Sequence, residues 1–171
     1  VAGILKDRNP ASRFAALRAS KDPQAKFLWA IFRDVFHYAA VQLESIADNA
    51  RDVDLAMRWG FGWAQGPFEI WQSAGWADIA RAIAADIAAG ETMSDTPLPA
   101  WVLEDREGVH TPQGSWSPRR KAYVPRSALP VYQRQLFQEA VLGDGSLSPE
   151  QSGETLFEND GVRLWRLPAV D

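Results

Sequence analysis

The feature that most constrains the fold is a long apolar stretch over residues 23–49. It follows Asp22-Pro23, a capping side chain placed before a proline, which is typical of the first turn of a helix. Polar side chains form only a narrow stripe along this helix, at Lys26, Arg33, His37 and Glu44. A helix that is apolar nearly all round is buried on several sides, so this helix is predicted to be the centre of the core. Its apolar positions are Phe27, Leu28, Ile31, Phe32, Val35, Phe36, Ala39, Ala40, Leu43 and Ile46.

Similar start signals and apolar spacing predict several further helices and an all-α domain. Asn9-Pro10 repeats the cap-and-proline pattern, and Ile79, Ile83 and Ile87 recur at a spacing that puts them on one inward face. The predicted helices cover residues 10–20, 53–59, 67–74 and 77–89, with one or two helical turns at 101–106.

The character of the chain changes after Gly108. Turn residues and prolines without a helical period predict an extended connector over 108–153. Within it, residues 131–142 have a fair helical spacing, and Ser148-Pro149-Glu150 predicts a capped turn. Residues 155–158 and 162–167 flank Asn159-Asp160-Gly161, which predicts a short C-terminal β-hairpin.

Composition excludes several classes of function. A net charge of −4 gives no basic surface for nucleic acid, and the absence of cysteine excludes disulfides and thiolate chemistry. No apolar run is long enough to span a membrane, and the N-terminus lacks the pattern of a signal peptide. We therefore expect a cytoplasmic protein.

Gly60, Gly62, Gly66 and Pro67 predict a structural elbow, in which glycine ends one helix and proline opens the next. The run is a near miss of the dinucleotide fingerprint, because a helical pattern precedes it and Gln65 replaces the third glycine. We expect Gly66 to adopt a backbone geometry that a β-carbon would strain. Glu69 lies favourably near the positive end of the second helix.

Other polar residues give weaker indications of chemistry. His37 is interpreted as a partly buried, hydrogen-bonded core residue, and His110 as a solvent-facing loop residue. Arg119, Arg120 and Lys121 either contact the phosphates of coenzyme A or form an ordinary charged loop. The tryptophans near the elbow, such as Trp59 and Trp63, either line an acyl groove or, more commonly for such spacing, pack in the core. No metal site is predicted.

Arg58-Trp59-Gly60 and Gly66-Pro67-Phe68-Glu69 resemble the signature of the C-terminal helical domain of 3-hydroxyacyl-CoA dehydrogenases. The nearest resemblance is to multifunctional β-oxidation proteins that also carry an enoyl-CoA hydratase. The resemblance implies an all-α domain of the 6-phosphogluconate dehydrogenase C-terminal type, present there in two copies. This chain resembles the second copy: a linker with a short helix at 1–21, the helical domain at 22–107, a connector at 108–153, and a hairpin at 154–171 similar to the start of the hydratase.

The family oxidises 3-hydroxyacyl-CoA to 3-oxoacyl-CoA with NAD, using a Rossmann domain and a His–Glu dyad. Neither the dyad nor the NAD fingerprint has a counterpart here, so no catalytic residue is assigned and no cofactor is expected on this chain alone. The resemblance implies packing against the Rossmann and first helical domains of the parent, with acyl-CoA contact a further option. Gln72 replaces the family's usual aspartate. A stand-alone helical interaction module is the alternative.

The long helix also predicts a docking surface. Phe32, Phe36 and Ala40 lie on a different side from Ile31 and Val35, so at least two layers must pack on this helix. Together with the tryptophans near the elbow, this is more apolar area than a small domain usually buries. We therefore expect the chain to self-associate through an apolar face.

Overall fold

The computed structural model describes residues 1–134, 139–146, 153–159 and 161–166. The protein is mostly helical, as the sequence predicts, with two small antiparallel sheets. None of the helices in these ranges is long and apolar enough to cross a membrane. In chain order the elements are α1 (Ala2–Leu5), α2 (Pro10–Ala19), α3 (Pro23–Ile46), α4 (Ala50–Phe61), α5 (Pro67–Ser73), α6 (Trp76–Ala88), α7 (Ala100–Leu103), β1 (His110–Thr111), β2 (Gly114–Ser117), β3 (Ala122–Val124), α8 (Pro130–Gln133), β4 (Glu154–Glu158) and β5 (Arg163–Arg166).

Side-chain caps determine where the first long helices begin. Asn9 Oδ1 accepts a hydrogen bond from the Ala11 amide at 2.9 Å, and Asp22 Oδ1 accepts one from the Gln24 amide at 2.8 Å. The predicted starts of α2 and α3 are therefore confirmed. Asn49 caps α4 in the same way, so α3 ends earlier than predicted and α4 begins at Ala50 rather than Val53.

The end of α4 differs from the prediction in a similar way. Gly60 was expected to stop the helix, but α4 continues through it to Phe61. Gly62 is the residue that ends the helix, because it has the left-handed φ of 70° that glycine adopts without a steric penalty. The elbow is thus real, but its helix-ending glycine is Gly62.

Two polar residues of the central helix α3 are buried rather than exposed to solvent. Arg33 and His37 are buried, since Arg33 contacts Asp86 and the Glu91 carbonyl while His37 Nε2 lies 2.7 Å from the Thr96 carbonyl. The interpretation of His37 as a hydrogen-bonded core residue is therefore confirmed.

Several large apolar residues of α3 are exposed to solvent. Phe27, Ile31 and Tyr38 are exposed by 65%, 44% and 66%. They are four and seven positions apart, which puts them on one side of the helix. We call these three residues the α3 stripe.

A row of aromatic rings crosses the core from α2 to β3. Neighbouring ring centroids are 4.1 to 6.4 Å apart, within the range in which aromatic pairs attract one another. The tightest pair is Trp71 stacked on Trp76, while Trp59 near the elbow is exposed rather than packed in the core. The row consists of Phe14, Phe36, Trp71, Trp76, Trp101, Trp116 and Tyr123.

The predicted extended connector contains a three-stranded antiparallel sheet in the order β1-β2-β3. His110 pairs with Ser115, and Trp116 pairs with Tyr123. The sequence analysis did not predict these strands because they are only two to four residues long, which is too short for an alternating pattern to show. In addition, β2 is buried on both faces and therefore does not alternate between buried and exposed residues. Val109 and Trp116 join the hydrophobic core, so this segment packs on the helices.

The rest of the C-terminal part agrees partly with prediction. The helix expected over 131–142 is short: α8 is Pro130–Gln133, residues 139–142 are not helical, and residues 135–138 lie outside the described part. The capped turn at 148–150 also lies outside it. The predicted hairpin is confirmed as β4 paired with β5, with Phe157 opposite Leu164.

Candidate functional site

The Gly60–Pro67 elbow brings α4 and α5 together around a buried carboxylate. Gly66 has an extended backbone with a φ of −78°, which any residue adopts, so the expected backbone strain at this glycine is wrong. The reason for glycine is space: a Cβ at Gly66 would lie less than 3.0 Å from the Cα of Asp54. Pro67 begins α5 as predicted.

Asp54 connects the elbow to the three-stranded sheet. Its Oδ1 accepts a hydrogen bond from the Phe68 amide at 2.9 Å, and its Oδ2 lies 2.6 Å from His110 Nε2. The other ring nitrogen of His110, Nδ1, lies 2.8 Å from Ser115 Oγ. We call Asp54, His110 and Ser115 the Asp54 network. Burial raises the pKa of the Asp54 carboxyl, and the hydrogen bond with His110 acts in the opposite direction.

The Asp54 network has the residue types of an acyl-transfer triad but not the access that catalysis requires. Asp54 and Ser115 are 0% exposed and His110 is 2% exposed, so no substrate reaches the serine hydroxyl in this structure. The network instead fastens β1 and β2 to α4. The interpretation of His110 as a solvent-facing residue is wrong, because the segment that carries it is folded against the helices.

Gln72 fastens the same segment from α5. Its Oε1 accepts hydrogen bonds from the amides of Val109 and His110 at 2.9 and 3.0 Å, and its Nε2 donates to the His110 carbonyl at 2.9 Å. An aspartate at this position has no donor for that carbonyl and is one methylene shorter. A glutamine rather than an aspartate at this position therefore has a structural consequence in this chain.

Glu69 completes the polar interior of the elbow. One carboxylate oxygen accepts a hydrogen bond from the Gly66 amide at 2.8 Å, which caps α5. The other accepts from the Leu142 amide at 3.0 Å and lies 3.4 Å from Arg58 Nη1. The expected stabilising position near the start of the helix is confirmed.

These contacts also occupy two amide donors that a bound dinucleotide would need. A pyrophosphate would need free amide donors at the start of α5. The amides of Gly66 and Phe68 are already bound by the carboxylates of Glu69 and Asp54, which would also repel a phosphate. These two amides are therefore not free to bind a pyrophosphate.

The basic residues proposed to contact coenzyme A form the turn between β2 and β3. Arg119 Nη2 donates to the Glu44 carbonyl at 2.8 Å, and its Nη1 lies 3.9 Å from Asp48. Arg120 is exposed, and Lys121 has the left-handed φ of 50° that the turn requires. Arg119 lines a groove together with Asp48 and Asp52, and these carboxylates disfavour an anion there.

Sequence reasoning missed Asp54, His110, Ser115 and Gln72 as a connected group. Asp54 lies on the inward side of α4, where a carboxylate needs a polar partner, but its burial is evident only in the structure. Nothing in the sequence shows that this partner is 56 residues away.

Part of this chain is similar in sequence to a known protein. The chain is 33% identical over 93 residues to a probable 3-hydroxyacyl-CoA dehydrogenase of Bacillus subtilis (strain 168). The match includes 54% of this chain but only 11% of that relative. No family model and no solved structure matches the chain. The similarity supports a relationship with 3-hydroxyacyl-CoA dehydrogenases over a small part of such a protein.

Proposed function

We propose that this chain is a helical part of a 3-hydroxyacyl-CoA dehydrogenase of fatty-acid β-oxidation. The parent protein would oxidise 3-hydroxyacyl-CoA to 3-oxoacyl-CoA, with NAD bound by a separate Rossmann domain. The observation that carries this proposal is the 33% identity over 93 residues to the probable dehydrogenase of Bacillus subtilis. The chain's own contribution is packing, because the Ser–His–Asp arrangement of the Asp54 network is buried and the start of α5 does not suit a pyrophosphate.

The docking role rests on the α3 stripe. Phe27, Ile31 and Tyr38 are exposed on the helix whose Arg33 and His37 are buried. Exposing large apolar side chains costs free energy in a monomer, and a contiguous apolar patch usually marks an interface. A second helical copy, either in the parent protein or in a symmetric dimer of this chain, would cover the stripe.

The C-terminal hairpin is a second place where a larger parent protein would contact this chain. Its exposed apolar residues are Leu156 and Phe157 on β4, Leu164 on β5, and Val162 directly before β5. A two-stranded hairpin alone is marginally stable in water, and further strands or a packed helix would bury these side chains. The proposed continuation into an enoyl-CoA hydratase supplies such neighbours.

The most specific part of this proposal is that the chain contacts the acyl part of the substrate. A groove of about 390 Å³ lies between α2, α3 and the elbow. Its walls include Phe14, Leu17, Phe32, Trp63 and Ile70, with Arg13 among the lining residues. This apolar lining suits an acyl chain better than the basic turn at Arg119 suits the phosphates of coenzyme A.

A chimera tests the proposed function. Residues 22–107 would replace their counterpart in the Bacillus subtilis relative, and NADH oxidation with acetoacetyl-CoA would be followed. We expect the chimera to keep a measurable kcat/KM, because the segment supplies packing rather than chemistry. A matched chimera carrying Gly66→Asp, which forces a side chain against Asp54, should lose activity through misfolding of the elbow.

The same assay on this chain alone should show no turnover above background. Turnover by the pure chain would contradict the assignment of a packing role. A folded chimera without activity would favour the alternative, a helical interaction module unrelated to the dehydrogenase reaction.

A further inference from the structure

A groove separate from the α3 stripe lies where α3 ends and α4 begins. It has a volume of about 570 Å³, within the range of binding clefts in proteins. Ile46 from the last turn of α3 and Val53, Ala56 and Met57 from α4 form its apolar surface. Ile46 is 61% exposed, so this apolar surface is uncovered in the structure. We call this feature the α3–α4 groove.

The charges around the α3–α4 groove are mainly negative. Asp48 and Asp52 both line it, and the last turn of α3 contains no basic residue. The carbonyl end of α3 carries partial negative charge and the amide end of α4 carries partial positive charge, so the two carboxylates supply most of the negative charge of the groove. Arg119 is the only cation among the lining residues.

Arg119 offsets only part of this charge. Its guanidinium donates to the Glu44 carbonyl of α3 and lies 3.9 Å from Asp48, at the limit of an ion pair. Asp52 is held by Asn49 Nδ2 at 3.0 Å rather than by a cation. Burial, with a smaller effect of the nearby Asp48, raises the pKa of the Asp52 carboxyl.

We propose that the α3–α4 groove binds an amphipathic helical segment of a partner protein, with a Lys or Arg directed at Asp48 and Asp52. The apolar side chains of that segment would cover Ile46, Val53 and Met57, as helices do when they bind in apolar grooves. Charge complementarity selects this occupant, since a neutral or acidic segment would leave Arg119, which lies 3.9 Å from Asp48, as the only cation among the lining residues for two carboxylates beside an apolar surface. The partner differs from the helical copy proposed for the α3 stripe.

A designed peptide provides the test. The probe is a fluorescein-labelled helical peptide of roughly 18 residues, long enough to form a helix, with Leu on one face and Lys beside it. Its matched partner has Glu in place of Lys. Fluorescence anisotropy with the full chain should show binding of the Lys peptide, and at least tenfold weaker binding of the Glu peptide.

Two pairs of substitutions separate the groove from general charge attraction. Asp48→Asn with Asp52→Asn should weaken binding of the Lys peptide at least tenfold. Asp78→Asn with Asp95→Asn removes the same charge from exposed positions outside the groove and should change the affinity less than twofold. Ile46→Ser, at an exposed position where folding does not depend on the side chain, should also weaken binding.

Equal weakening by both pairs would overturn the proposal, because it would show general attraction to an acidic protein. Equal binding of the two peptides, or no binding of the Lys peptide, would overturn it as well. Circular dichroism of each variant confirms that the chain remains folded. Self-association of the chain that survives the groove variants leaves the α3 stripe proposal intact, so the two surfaces are tested independently.

Discussion

At the scale of single residues, Asp144 is a buried carboxylate held by two arginines. Arg126 Nε lies 2.7 Å and Arg51 Nε 3.2 Å from its Oδ2, and Ser146 donates to its Oδ1 through both the amide and the hydroxyl. Burial alone would raise the pKa of Asp144, but these contacts outweigh it and lower the pKa below the ordinary value of 3.8.

Asp144→Asn should therefore cost about 3–5 kcal/mol of unfolding free energy at pH 7, since it leaves the buried guanidinium of Arg51 and the partly buried one of Arg126 without their carboxylate. Because the folded-state pKa is lowered, the stabilisation by Asp144 is complete above pH 3.8 and is lost as the pH falls through the folded-state value. Urea unfolding between pH 7 and pH 3 measures this. The wild type should lose more stability than the variant over the acid part of that range. Parallel curves would contradict the ion-pair description.

Gly66 and Gly60 form a matched pair for testing the elbow. Gly66→Ala should lower the unfolding free energy by about 1–3 kcal/mol, because its Cβ meets the backbone of Asp54 in a close-packed site. Gly60→Ala should be neutral or stabilise by up to about 1 kcal/mol, since Gly60 is helical and no atom lies within 4 Å of a Cβ there. Thermal unfolding of both variants is the measurement, and equal effects would show that packing at Gly66 is not the cause.

Polarity alone did not predict which residues of α3 are buried. Arg33 is 5% exposed because the chain between Asp86 and Thr96 returns across that face and supplies acceptors for Arg33 and His37. Tyr38 remains exposed because no described element covers its side of the helix. A sequence pattern shows which residues lie on the same face of a helix. Which other segment packs against that face depends on the path of the whole chain.

At the scale of elements, the helices were predictable because their signals are local. Caps at Asn9 and Asp22, prolines at first positions and apolar spacing all lie within the helix concerned. The three-stranded sheet was not predictable, because its strands are short and are stabilised from outside. The contacts of His110 in β1 with Asp54 and Gln72 join residues far apart in the chain.

Gln72→Glu tests how the sheet is fastened to α5. The substitution keeps the size of the side chain but replaces the donor to the His110 carbonyl by an acceptor, which should cost about 1–3 kcal/mol. Hydrogen exchange of the Val109 and His110 amides should become faster. Gln24→Glu, the same change in the exposed first turn of α3, should be neutral or slightly stabilising because of the helix dipole. Unchanged exchange at Val109 and His110 would show that Gln72 does not hold β1.

At the scale of the whole molecule, the relationship with a probable 3-hydroxyacyl-CoA dehydrogenase and the exposed α3 stripe support the same proposal. The similarity covers 11% of the relative, so most of such a protein would lie outside the matched segment. Phe27, Ile31 and Tyr38 lie on the helix that forms the centre of the core. The α3 stripe therefore lies on a helix whose other side is packed in the core, and this packing holds its side chains in the fixed positions that an interface requires.

Sedimentation velocity of the purified chain, over a range of concentrations, tests the docking role most directly. We expect a reversible dimer that becomes monomeric when Phe27→Glu and Tyr38→Ser are introduced together, because both side chains are exposed in the single chain and their loss leaves its core unchanged. Met93→Ser, at another exposed apolar residue outside the stripe, should leave the dimer intact. A dimer that persists in the Phe27 and Tyr38 variant would contradict docking through the α3 stripe, and a wild-type chain that stays monomeric at all concentrations would contradict the symmetric dimer.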